Sequence, residues 1–154
     1  MQRENSFHCA CWEVGVPPDE VEELLAKVRK RVPRVIIQVV GATRAPNPSA
    51  VEMIAAQTLT AAKSGTTLAE RPELDLLLRV AGTRQIGEAF QRVGYKSNKK
   101  RFFMVAASEG SGATLARMVM RLAVDKRFKE VAKKKLTKSD LEQVERAALL
   151  AVRL

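Results

Sequence analysis

Apolar positions in this chain recur with two periods, and the alternation between them lays out its elements. Phe7, Cys9 and Cys11 alternate with His8, Ala10 and Trp12, which predicts a first strand over about 6–14. Pro17-Pro18 punctuates it. Asp19, Glu20, Glu22 and Glu23 then lead a helix whose last turns carry Lys27, Arg29, Lys30 and Arg31, an order that complements the helix dipole at both ends. Its buried face is Val21, Leu24, Leu25 and Val28, and Pro33 prevents continuation. Val35 to Val40 is a β-branched run, expected to be a central strand that is apolar on both faces. Gly41 to Pro48 reads as a loop carrying one exposed cation, Arg44. Asn47 as N-cap and Pro48 at the first helical position open the next helix, with Val51, Ile54, Ala55, Thr58 and Ala62 facing inward. Lys63 lies in its last turn and Ser64-Gly65 ends it.

The most informative stretch follows. Leu74, Leu77, Leu78 and Ala81 form one helical face, and Gly82 sits where that helix needs a left-handed residue. Thr83 stands where the next helix needs a capping oxygen, and Ile86, Ala89, Phe90 and Val93 repeat the helical spacing up to Gly94. The pattern predicts two helices meeting at a two-residue corner, Gly82-Thr83. That corner would aim the amide end of the second helix outward, with Arg84 and Gln85 first out of it. A helix N-terminus beside a guanidinium suits phosphate.

Tyr95 to Arg101 is a basic turn feeding a second strong strand, Phe102 to Ala107. A loop, Ser108 to Gly112, leads to a helix bearing Leu115, Met118, Val119 and Leu122. Asp125 to Leu136 is strongly cationic, with only Phe128, Val131, Ala132 and Leu136 to bury. Ser139-Asp140-Leu141-Glu142 reads as a capping box that starts a last helix. Its apolar residues, Leu141, Val144, Ala148 and Val152 widened by Ala147, Leu149, Leu150 and Leu154, nearly encircle it. Such a helix is either deeply buried or waits for a partner. No repeat or linker interrupts the order. Few strands among many helices predict an α+β domain of the broad α/β class, with a small mixed or antiparallel sheet packed by helices, not a doubly wound sheet.

At 154 residues, 46% hydrophobic and 29% charged, the chain can bury a substantial core as one domain. Its net charge of +10 changes the picture, because the excess is clustered in Lys27 to Arg34, Arg92 to Arg101 and Lys126 to Lys138. Clustering points to a polyanionic partner more than to a generally charged surface. The start, Met1 to Asn5, resembles no signal peptide, and no apolar run approaches a membrane span. The expectation is therefore a cytoplasmic protein without membrane contact.

Candidate chemistry narrows the choice further. Cys9 and Cys11, two apart on a strand, point the same way and read as buried free thiols. With His8 alone beside them they fall short of a zinc set, so neither metal nor cofactor is expected. His8 lacks a supported nucleophile partner, and no pair of carboxylates stands out for acid–base work. Ser108-Glu109-Gly110-Ser111-Gly112 lacks the lysine of a phosphate-binding loop and reads as a turn. A DNA-binding helix-turn-helix normally has a longer turn than Gly82-Thr83. Aromatic residues are only 5% of the chain, too few for sheet-based base stacking.

Arg79 to Gly94, RVAGTRQIGEAFQRVG, followed after a basic turn by the strand from Phe102 to Ser108, resembles the small tRNA-binding subunit of the archaeal KEOPS complex, a family that includes the human PRPK-binding protein. The likeness covers about Val35 to Ser108 in order of elements, and GTRQI with its following helix is the specific part. It implies a non-enzymatic subunit that binds the complex's small protein kinase. It also implies a hold on the single-stranded 3′ CCA end of tRNA, in support of threonylcarbamoyladenosine synthesis by another subunit. Carried over by motif, Gly82, Thr83, Arg84, Gln85 and Ile86 would line the tail-binding surface, with Lys63 matching more loosely. The family's histidine early in the helix before Gly65 has no counterpart, and its asparagine-alanine after the early strand is Gly41-Ala42 here.

The residues themselves suit that task. Arg84 can pair with phosphate or stack on a base, Gln85 can read a base edge, and Ile86 can supply apolar contact. Lys96, Lys99, Lys100 and Arg101 could track the acceptor backbone, and Leu149, Leu150 and Leu154 could meet the kinase. The competing expectation is an RNA-processing enzyme with an unidentified carboxylate site. A third is a scaffold whose charge serves only solubility.

Overall fold

The computed structural model describes residues 7–94, 101–110 and 112–152. Four strands, β1 (Phe7–Val14), β2 (Ile36–Ala42), β3 (Arg101–Glu109) and β4 (Phe128–Glu130), form a sheet in the order β2-β3-β1-β4. Every pairing is antiparallel, with Cys11 opposite Val105 and Val39 opposite Met104. The helices are α1 (Val21–Arg31), α2 (Pro48–Ser64), α3 (Pro72–Ala81), α4 (Ile86–Val93), α5 (Ala113–Leu122) and α6 (Lys138–Leu149). The fold is α+β.

Helices cover both faces of the sheet. Cys9, Cys11, Val40, Phe103, Val105 and Ala107 pack against α2, α3, α4 and α6 through Ile54, Leu77, Ala89 and Ala147. The alternate residues Ala10, Trp12, Ile37, Val39, Met104 and Ala106 pack against α1 and α5 through Val21, Leu25, Leu115 and Met118. An antiparallel sheet with one wet face would alternate apolar and polar; β2 and β3 are covered on both faces, so they read as nearly continuous apolar runs.

The strand at Val35 to Val40 is buried on both faces as expected, but it lies at the sheet's edge instead of its centre. An apolar run reports covered faces and is silent about hydrogen-bonded neighbours. Side chains serve its open edge: Arg29 donates to the Ile37 carbonyl from Nε at 3.1 Å and Nη2 at 2.7 Å. The Gln38 side chain accepts from the Val39 amide at 3.0 Å and donates to the Glu73 carbonyl at 2.9 Å. With those edge groups engaged, β2 is a poorer template for another chain. β4 had no separate signature, because three residues in a cationic stretch become a strand only by pairing with Trp12 to Val14.

Helix ends follow their local chemistry with small shifts. Asn47 caps α2 by accepting from the Ser49 amide at 3.1 Å, and Gly65 ends that helix left-handed at φ 67°. Ala61 is the buried residue near the end of α2, and Ala62 is exposed. The capping box of α6 is Thr137 with Asp140, two residues before the expected start. Asn47 also donates to Asp140 at 3.1 Å, and the Lys134 amide donates to Asn47 at 3.2 Å. One asparagine thus fastens the cationic segment and α6 to the start of α2.

The Thr137 amide, then Asn47, hold the Asp140 carboxyl below the usual carboxylate range. A depressed folded value stabilises the fold above the unfolded pKa, near 3.9, and is lost as pH falls through the folded value. Asp140→Asn should therefore flatten the loss of stability between about pH 5 and pH 2 in urea titrations. Asn47→Ala should cost about 1–2 kcal/mol at neutral pH. An acid limb unchanged by Asp140→Asn would contradict this.

Candidate nucleic-acid interface

The corner after α3 is built by backbone geometry first. Gly82 is left-handed, φ 74°, and its amide donates to the Leu78 carbonyl at 2.9 Å. A Cβ there would meet the Arg146 side chain of α6 at 2.8 Å, so glycine also leaves room for that side chain. α4 begins only at Ile86, with Gln85 extended as its N-cap, so the corner is longer than the two residues expected. Thr83 is not the cap. It is buried, accepts from the Gln85 amide at 3.2 Å and donates to Glu88 at 3.1 Å. Its hydroxyl makes a tight side-chain turn one step before the helix. Glu88 also pairs with Arg92, whose Nη1 donates to the Ala81 carbonyl at 3.1 Å. A carboxylate therefore already sits in the first turn of α4, and the corner is internally braced instead of bare.

Arg84 and Gln85 are exposed. Arg84 lines an open groove of about 1020 Å³. Thr60, Ser64, Thr66 and Leu68 line it from α2 and the following loop, Arg79 from α3, and Ala148 and Ala151 from the end of α6. Among the described residues Arg84 makes no ion pair or hydrogen bond. Arg79 is its opposite: 3% exposed, paired to a wholly buried Asp75 at 2.7 Å. Asp75 accepts from Thr58 at 2.6 Å and from the Leu68 amide at 2.8 Å. Arg79 Nη1 reaches Gln57 at 3.3 Å and the Ala147 carbonyl at 3.4 Å.

The expected site residues separate. Arg84 lines the groove; Gln85 and Ile86 lie exposed beside it, Ile86 at 45% and Phe90 at 40%. The apolar stripe of α4 therefore faces outward at two of its four positions, with Ala89 alone fully buried. Gly82 and Thr83 shape the corner from beneath. Lys63 neighbours the groove through Ser64 but is ion-paired with Glu109. Arg101 stands at the other end of β3 from Glu109, roughly 26 Å along the strand. It holds Glu13 through two bonds of 2.8 and 2.6 Å and stacks over Phe103. That pairing pulls the Glu13 carboxyl below its usual range. Arg101 is thus not part of the groove. Lys96, Lys99, Lys100 and Leu154 lie outside the described residues. Leu149 is 57% exposed and Leu150 half-buried.

Residues that the sequence reading passed over carry much of the groove: Gln57, Thr60, Thr66, Leu68 and Arg79. The available clue was Asp75 with Arg79, an i,i+4 charge pair inside the otherwise apolar run from Leu74 to Ala81. Cys9 and Cys11 are buried free thiols, and hydrogen bonding with Cys11, then burial, pushes the Cys9 thiol well above its ordinary value. His8 donates from Nε2 to the Gly110 carbonyl at 3.0 Å. Among the described residues no three His, Cys, Asp or Glu side chains are placed to hold a metal ion. No helix there is long and apolar enough to cross a membrane. Compared with protein-family models and with curated proteins, the chain matches none.

Asp75→Asn leaves the Arg79 charge buried without its partner. Urea unfolding should show a loss of about 3–5 kcal/mol. A loss below about 1 kcal/mol would mean that the pair is not the brace of this groove.

Proposed function

We propose that this chain is a non-catalytic accessory subunit of a KEOPS-type complex, binding the 3′ CCA end of tRNA and the complex's small kinase in the cytoplasm. In that role it supports threonylcarbamoyladenosine modification carried out elsewhere in the complex. The observation that carries this reading is Arg84: exposed, unpaired among the described residues, and lining an open groove next to the GTRQI corner. The groove mixes hydroxyls and amides with apolar methyl groups, as a splayed single strand requires. Arg84 supplies the phosphate contact or a stacking plane. Gln85 offers a base-edge donor and acceptor, and Ile86 an apolar rim. The net charge of +10 adds a general attraction that carries no specificity.

The kinase contact is assigned to α6. Leu141 at 48% and Leu149 at 57% exposure on α6, with Val152 at 50% just beyond its end, give an apolar surface that suits a partner. A helix that lays such residues on a second protein is a common recognition mode.

Binding of intact and tail-trimmed tRNA across a salt series tests the first half. Trimming the CCA should weaken binding clearly, with no RNA turnover. Arg84→Glu should cost about tenfold at moderate salt and lower the salt slope by roughly 0.7. Equal affinity for trimmed tRNA, or cleavage of RNA by the pure chain, would contradict the reading. For the second half, Leu149→Asp should abolish kinase binding and leave tRNA binding intact; retained kinase binding would remove α6 from that contact.

A further inference from the structure

On the other side of the sheet, a cleft of about 360 Å³ opens between α1 and α5. Val28 and Val32 give it an apolar lining from the end of α1, and Met118 and Leu122 from α5. Around these stand the guanidiniums of Arg31, Arg117 and Arg121, with the Thr114 hydroxyl. No acidic side chain lines the cleft among the described residues. What sets this cleft apart is that three guanidiniums without a carboxylate share one concave surface. Arg92, Arg101 and Arg127 each hold a carboxylate. The side chains of Arg31, Arg117 and Arg121 have neither an ion pair nor a hydrogen bond among the described residues.

Gathering three like charges around a concave apolar surface is unfavourable until an anion joins them. Guanidiniums match a phosphate dianion in charge and in forked geometry. An extended phosphate backbone would need the cations but not a concave apolar lining. A planar ring would need that lining, and the Met118 thioether favours contact with an aromatic edge. The volume falls near the lower end of small-molecule sites, roughly 300–1,000 Å³.

We propose that this cleft binds a nucleoside monophosphate. Its phosphate lies among Arg31, Arg117 and Arg121, and its base rests on Val28, Val32, Met118 and Leu122. The Thr114 hydroxyl is available to the phosphate or the sugar. The site uses α1 and α5, on the face away from the Arg84 groove, and so stands independently of the tRNA-end reading.

The test is calorimetric titration of the full chain with AMP, adenosine and inorganic phosphate, alongside methyl NMR of Met118. AMP should saturate and shift the Met118 methyl, while adenosine and phosphate each bind at least about tenfold more weakly. Arg117→Ala combined with Arg121→Ala, both at exposed positions, should weaken AMP about tenfold, with the Met118 methyl still at its folded position. Arg84→Glu should leave AMP binding unchanged. The proposal is overturned if AMP fails to saturate, if adenosine binds as well as AMP, or if the double variant binds like the parent. Binding of a 5′-phosphorylated oligoribonucleotide without binding of AMP would also overturn it, assigning the arginines to an RNA backbone.

Discussion

A carboxylate and a guanidinium almost wholly removed from water, Asp75 and Arg79, hold the helical side of this protein together. Taking both charges out of water is unfavourable on its own. It is tolerated because the carboxylate receives the Thr58 hydroxyl and the Leu68 amide, while the guanidinium reaches Gln57 and the Ala147 carbonyl. Those partners come from α2, the loop after it and α6. A fully satisfied network of this kind specifies one arrangement, because any other leaves a charge unpaired. The groove beside the corner lies where these same elements meet, so its shape depends on the pair. The network also divides the labour between two arginines of one groove. Arg79 is consumed in building it, and Arg84 stays unpaired among the described residues.

The sheet separates two surfaces of different character. On the α2, α3, α4 and α6 side, the groove is wide and mixed in polarity, with a single uncommitted guanidinium in its lining. On the α1 and α5 side, the cleft is smaller, apolar at its base and ringed by arginines. The first suits a chain of loosely stacked bases; the second suits one compact anion with a flat body. β3 lies in both cores, contributing Phe103, Val105 and Ala107 to one and Met104 and Ala106 to the other. The two surfaces therefore share a rigid middle layer without sharing residues.

Much of this was legible in the pattern of residues. Strands β1 and β3, the Asn47-Pro48 start of α2, the left-handed Gly82 and the α+β class follow from local chemistry: period, capping and turn propensity. What was illegible depends on contacts between distant segments. The edge position of β2 is decided by which strand lies beside it, and two covered faces conceal that. β4 exists only because Trp12 to Val14 accept it as a neighbour. Thr83 reads as a cap by composition, yet Glu88 and the Gln85 amide together draw its hydroxyl one step earlier. Arg101 reads as one of a basic cluster, and only the cross-strand neighbour Glu13 reveals that it is engaged. For the candidate groove, Arg84, Gln85 and Ile86 were visible because short polar corners after a left-handed glycine are exposed. The Thr60 to Leu68 side was not, since hydroxyls and an apolar residue carry no signature until Ala148 and Ala151 join them in the lining of one groove.

The central claim is that the loose end of a tRNA enters the groove between the corner and the α2–α3 loop. Hydrogen exchange of the full chain, compared in the presence of intact and tail-trimmed tRNA, addresses it most directly. The account predicts that intact tRNA slows exchange at Thr66 to Leu68 and at Arg84 to Gly87, that trimming the tail removes this protection, and that α5 is unaffected throughout. Protection that survives trimming, or that falls on α5 in place of the corner, would contradict it.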